Sequence, residues 1–249
     1  PKGHILVFRA VIRGKQLLNF RAFYLLYLWI SNLASKPTPL LVRKIGIELR
    51  TLHLRSNRFP LKPNFPFYDL NYCLTQSSRN ICVFLRQRPE IREHCLAFQS
   101  LSLDIKKRLS KFPLESFSWG PIHGDFIHGN FKMNSEGKIS VYDFERIGYG
   151  WRAYEIASYI WHIVTHRVVS DSPKLFSVIQ KYLLEEYESI FPLSDPEKES
   201  LPDFYLMRRI WMNRVCCDQF INWGSSFLSI SRWKREIQKL KSWQENFSR

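Results

Sequence analysis

Residues 121–130 read Pro121-Ile122-His123-Gly124-Asp125-Phe126-Ile127-His128-Gly129-Asn130, and residues 139–145 read Ile139-Ser140-Val141-Tyr142-Asp143-Phe144-Glu145. A short polar turn at 134–138 separates them. The first stretch puts an acid on a loop and, five residues later, an amide. The second puts another acid at the end of a strand, 139–142, reached through a tight hairpin. This layout brings one free carboxylate and two oxygen ligands to a single point. Phosphoryl transfer requires that set: a carboxylate to take the proton of an attacking hydroxyl, and oxygens for Mg²⁺ on the phosphates. Asp125 is therefore the candidate base, and its carboxylate is expected to stand unpaired by arginine. Asn130 and Asp143 are the candidate metal ligands. Read singly, Asp125 and Asn130 are also ordinary turn or cap residues.

The neighbours of these three invite other readings. His123 and His128 flank Asp125, but no third soft ligand follows nearby, so a structural role in ordering the loop is expected in place of a zinc pair. Glu145 stands two residues past Asp143. On an extended segment it would point the same way, as a second-shell acid or second-metal ligand.

The full set resembles the catalytic core of the aminoglycoside phosphotransferase superfamily. It comprises His123-Gly-Asp125-x-x-His128-x-Asn130, Asp143-Phe-Glu145 and Gly148-Tyr-Gly-Trp-Arg-Ala-Tyr-Glu155. That superfamily includes choline and homoserine kinases and is distantly related to the protein kinases. The resemblance implies ATP as co-substrate, Mg²⁺ as metal, and a small molecule as acceptor. It is specific only over 123–159. At 155 the superfamily usually carries Asp, placed to hold the backbone of the catalytic loop; Glu155 adds a methylene, and a looser brace is expected. The segment Ile45-Gly46-x-x-Leu49-x-x-Leu52-His53 is similar to a helix of the same family, and His53 is expected to pack in the core.

Composition sets the outer bounds. The chain has 249 residues, 45% hydrophobic and 15% aromatic, enough to bury a sizeable core. Lys and Arg exceed Asp and Glu by 37 − 22 = 15. A basic balance suits nucleic acid, an acidic membrane or an anionic ligand such as ATP, but the cations are scattered and no nucleic-acid partner is expected. Five cysteines without Cys-x-x-Cys spacing argue against a zinc site or a disulfide framework, and free thiols point to a reducing, cytoplasmic setting. The apolar run 22–30 is too short to span a bilayer, which takes about 20 residues.

Along the chain, 4–12 reads as a strand leading to a lobe hinge and 19–34 as a buried helix. The stretch 40–54 is clearly amphipathic, and 55–69 is a proline-rich connection. Residues 72–85 and 89–108 read as two helices, and 112–120 as a loop. Further helices are expected at 153–165, 173–189, 203–220 and 231–247, with an acidic, proline-flanked loop at 191–202. The expected fold is α+β and mostly helical: the C-terminal lobe of a protein-kinase-like fold with a small β hairpin at the site. Residues 1–18 would be a hinge-proximal strand left from an N-terminal lobe, and 19–249 the lobe itself, with a catalytic core at 121–165. No Gly-x-Gly-x-x-Gly loop is present among ten glycines, and the part expected to clamp ATP is not represented, so weak or no nucleotide binding is expected of these 249 residues alone. Nothing in the sequence assigns a nucleotide-contacting residue. The expected activity is ATP-dependent phosphorylation of a hydroxyl on an amino alcohol, a hydroxy amino acid or a sugar. Two alternatives stay open: an inactive kinase-like remnant, and a basic interaction module. Trp211, Phe220 and Trp223 either line an acceptor pocket or belong to the core.

Overall fold

The computed structural model describes residues 37–58, 64–167, 173–219 and 230–247. The strand expected at 4–12, the boundary at residue 18, the helix expected at 19–34, and Phe220 and Trp223 lie outside the described residues.

Helix α1, Pro39–Ser56, starts where the sequence signals it: the Thr38 hydroxyl accepts the Leu41 N–H at 3.2 Å, and Pro39 occupies the first turn. Its buried stripe of Leu41, Val42, Ile45, Leu49 and His53 lies against α5, Pro173–Tyr187. A wide π-helical segment, Asn71–Gln76, leads into α2, Ser77–Arg86, which packs beside α3, His94–Leu109. The central helix is α4, Arg152–His162. Every one of its residues is buried, the signature of a helix enclosed on all sides. It packs on the long α6, Asp195–Asp218, and α7, Ile230–Phe247, lies against α3 and α6.

Five short strands complete the fold. Strands β1 (Phe67–Tyr68), β5 (Gly148–Trp151) and β2 (Trp119–Ile122) form one sheet in that order, β1 parallel and β2 antiparallel to β5. Strands β3 (Phe131–Met133) and β4 (Ile139–Val141) make the expected hairpin, with Phe131 opposite Val141 and Met133 opposite Ile139. Its turn is held by the Asn134 side chain, which accepts the amides of Glu136 and Lys138 at 3.1 and 2.8 Å. The fold is thus α+β and mostly helical, as read from the sequence.

Three expectations are corrected. The loop expected at 191–202 is largely helix: Ser194 and Glu197 form a reciprocal capping box, Pro196 sits in the first turn, and α6 carries Pro202 inside it. The proline-rich connection and the loop at 112–120 contain strands β1 and the start of β2. They escape propensity because β5 is half glycine; a Cβ at Gly148 would stand 2.4 Å from the Pro66 carbonyl, so close backbone approach selects the residue. Finally, Cys82 and Cys95 are bridged, tying the end of α2 to the start of α3, while Cys73, Cys216 and Cys217 are free and buried.

Candidate functional site

The loop from His123 to Asp125 joins β2 to the hairpin, and its shape depends on Gly124. That residue has φ +75°, and a Cβ there would lie 2.0 Å from the Arg146 carbonyl and 2.6 Å from the Tyr68 hydroxyl. The loop's donors are gathered by Glu155, in the first turn of α4. One oxygen accepts the Gly124 N–H at 2.7 Å, the other the His123 N–H at 3.1 Å. His53 Nε2 lies 2.8 Å from the same second oxygen, and His53 Nδ1 lies 2.8 Å from the Tyr187 hydroxyl. The longer arm of Glu155 therefore reaches its targets, and the looser brace expected from the extra methylene is not seen. Burial pushes the His53 imidazole down to about 4, so near neutrality it is uncharged, donating from Nε2 and accepting at Nδ1. Burial works to raise the Glu155 carboxyl, but the hydrogen bonds from His53 and the His123 amide outweigh it and hold it below the ordinary carboxylate value. Burial raises the Tyr187 phenol, which stays a donor.

His123 is spent on structure. Its Nε2 donates to the Tyr142 carbonyl at 2.9 Å and its Nδ1 accepts the Asp125 N–H at 3.3 Å. Both ring nitrogens are engaged, so it is no zinc ligand. His128 is buried with its ring edge-on to Phe131. The bond from His123 also ties this loop to Tyr142, just past β4 and one residue before Asp143.

Asp125 is not unpaired. Arg208, from α6, donates to Asp125 Oδ1 at 2.5 Å and to the Gly124 carbonyl at 2.8 Å. Its side chain is fully buried, stacked between Trp211, 4.5 Å from the ring centre, and Trp161, 5.3 Å away. The expectation of a carboxylate free of arginine is thereby corrected: the helix after the core supplies a buried cation. Trp211 is 2% exposed and serves as the floor beneath Arg208, so it belongs to the core. Arg152, also buried, donates to the Pro121 carbonyl and to Asn57 Oδ1, fixing β2 just before the loop.

Asn130 uses its amide nitrogen on the Asp125 carbonyl at 2.9 Å, with Asp125 Oδ2 at 3.4 Å, leaving its own Oδ1 as an acceptor. Its carbonyl accepts the Tyr142 N–H at 3.1 Å, so Asn130 and the residue before Asp143 are paired across the open end of the hairpin. Asp143 has φ 63° and ψ 63°, the one non-glycine residue at positive φ among the described residues. Its exposed carboxylate has no hydrogen-bond or ion-pair partner among them. Glu145 does not share its direction by strand alternation: the left-handed step at Asp143 and the 3-10 turn Phe144–Arg146 break the period of two.

Asn130 and Asp143 together offer one amide oxygen and one carboxylate, hard donors suited to Mg²⁺. Among the described residues no group of three or more His, Cys, Asp or Glu could hold a metal unaided. Such a pair fits a cation that brings phosphate and water oxygens with it. Sequence reasoning passed over two members of the site. Arg208 carried a signal, since Arg208-Arg209 interrupts the apolar run Phe204–Trp211 that α6 buries. The brace role of His53 carried none.

Comparison with known proteins identifies the lineage. Residues 24–176 match the phosphotransferase enzyme family, over more than half of the chain, and the chain belongs to that family. An uncharacterised protein of Synechocystis is 30% identical over 197 residues, which are 79% of this chain and 52% of that protein. Among solved structures, an amicoumacin kinase in complex with AMP-PNP, Ca²⁺ and Ami superposes with a TM-score of 0.59 at 16% identity, covering 85% of this chain and 62% of that one. A microcompartment-associated aminopropanol kinase gives 0.59 at 20% identity, covering 84% and 61%. The chain thus spans between half and two thirds of the length of these three relatives. The fold is that of the C-terminal lobe of a protein-kinase-like small-molecule kinase.

Proposed function

We propose that this member of the phosphotransferase enzyme family transfers the γ-phosphoryl group of ATP to a hydroxyl of a small molecule, with Asp125 as base and Asn130 and Asp143 as metal ligands. The observation that supports this best is the division of labour among three oxygen-bearing side chains on one braced frame. Asp125 Oδ1 is held by Arg208, Asn130 turns its nitrogen inward, and the Asp143 carboxylate has no partner among the described residues. Bound Mg²⁺ would supply neutralisation of the charge on the transferring phosphates. The chain's own residues do the rest. The acceptor oxygen attacks the γ-phosphorus, the bond to the ADP oxygen breaks, and the hydroxyl proton passes to Asp125, which later returns it to solvent. Glu155 and Arg208 keep the loop fixed while this happens, so little reorganisation accompanies the step.

The name of the aminopropanol kinase favours an amino alcohol as acceptor, with hydroxy amino acids and sugars as the other candidate hydroxyl compounds. ATP as co-substrate favours the cytoplasm as the place of the activity. Among the described residues no helix is long and apolar enough to cross a membrane.

The test is a phosphoryl-transfer assay on the protein at its full natural length with ATP, Mg²⁺ and a panel including ethanolamine, 1-amino-2-propanol, homoserine and simple sugars. Asp125→Ala is expected to lower kcat by about 10²–10⁴ with ATP affinity nearly intact. Activity of Asp125→Ala within a few-fold of wild type would remove Asp125 from the mechanism.

A further inference from the structure

We infer that Arg208 is a positioning residue for the base: it fixes which oxygen of Asp125 meets the acceptor hydroxyl. The inference rests on the phosphotransferase reading above. Taking a guanidinium out of water is costly unless it is paired. Here the side chain is 0% exposed and its terminal nitrogens go to two consecutive residues of the loop, the Gly124 carbonyl and Asp125 Oδ1. A planar fork bound to a backbone carbonyl and a neighbouring carboxylate sets the plane of that carboxylate, which a point charge such as ammonium does not. The indole rings of Trp211 and Trp161 limit rotation of the fork.

The consequence for the base is specific. Oδ1 takes the short bond from Arg208, so Oδ2 is the less engaged oxygen and the one to accept a proton; its one partner is Asn130 Nδ2, a long donor at 3.4 Å. The proton acceptor is thereby turned toward the candidate metal ligand. The loop is also held from both directions: the Glu155 anion takes its N–H groups and the Arg208 cation takes its carbonyl. Arg208 acts through Asp125 and touches no reactant itself.

Arg208→Lys keeps the charge and loses the fork. Arg209→Lys is the control on the same helix turn, since among the described residues the Arg209 side chain forks onto Glu236 of α7 with both contacts at 3.0 Å and donates to the Tyr205 hydroxyl at 3.2 Å. With MgATP and 1-amino-2-propanol, or MgATP hydrolysis where that acceptor is refused, Arg208→Lys is expected to lower kcat about tenfold to a hundredfold, as misplaced reacting groups do. Its KM for ATP should stay within about threefold, and guanidinium ion should partly restore kcat to Arg208→Ala. Arg209→Lys should lose comparable thermal stability with kcat little changed. In the metal-free protein, amide exchange at residues 123–125 should quicken about tenfold in Arg208→Lys and stay unchanged in Arg209→Lys. Equal kcat losses in the two lysine variants, or unchanged loop exchange in Arg208→Lys, would overturn the inference. A wild-type protein without turnover would sink the functional reading instead, and the exchange measurement would still decide whether Arg208 holds the loop.

Discussion

Asp143 occupies a left-handed backbone position that suits glycine better than aspartate. Holding it there costs on the order of 1–3 kcal/mol, a strain retained where the side chain is needed. Asp143→Gly is therefore expected to leave the melting temperature unchanged or raise it, while phosphoryl transfer falls below detection. A variant that loses stability along with activity would show that the carboxylate serves the fold and not a metal. His53 supplies a pH signature. Its folded value of about 4 lies under the ordinary 6.5, so between these limits the unfolded chain binds more protons than the folded one. The stability tied to neutral His53 is complete above pH 6.5 and is lost as pH falls toward 4. His53→Gln should flatten the stability profile in that window by up to about 1.4 kcal/mol per pH unit, read from denaturant unfolding at each pH. Identical slopes in wild type and variant would mean that His53 is charged in the folded protein.

At the level of elements, α4 presents Glu155 from its first turn to the two amides that precede Asp125. The reach is matched to the longer side chain. Glu155→Asp should leave at least one buried N–H without its acceptor and cost about 1–3 kcal/mol, measured by chemical denaturation. Undiminished stability would mean that α4 can shift to close the gap. How far such elements were legible follows from the kind of signal each carries. The hairpin β3–β4 and its three oxygen-bearing residues were readable, because a loop acid, an amide and a strand-end acid at short spacing leave a local pattern. The helices with periodic apolar faces were readable for the same reason, α1 most clearly. Strands β1, β2 and β5 were not, since two-residue and glycine-rich strands exist through their partners and not through propensity. The start of α6 was missed because its prolines and acids look like a loop, although Ser194-Asp-Pro-Glu197 spells a capping box. The pairings of Arg208 with Asp125 and of His53 with Glu155 join residues 83 and 102 apart, and one sequence contains no record of such meetings.

Over the whole molecule, four helices converge on a loop of three residues. Helix α1 sends His53, α4 Glu155, α5 Tyr187 and α6 Arg208. A candidate base held this way owes its position to the packing of the entire lobe, which is how a site stays within the small tolerances that catalysis needs. The α6–α7 contact through Arg209 and Glu236 fastens the last helix to α6, away from that loop. At the open end of the hairpin the frame holds the buried Asn130 and the exposed Asp143, and the account stands or falls on whether they share a cation. The most direct measurement is a structure of the protein at its full natural length, crystallised with Mn²⁺ and a non-hydrolysable ATP analogue. The account predicts a manganese ion with Asn130 Oδ1 and an Asp143 oxygen in its coordination shell, the two oxygens about 3–4 Å apart, and Asp125 outside the shell facing the γ-phosphate. A metal bound without either residue, or side chains of Asn130 and Asp143 directed to opposite faces of the hairpin, would contradict it.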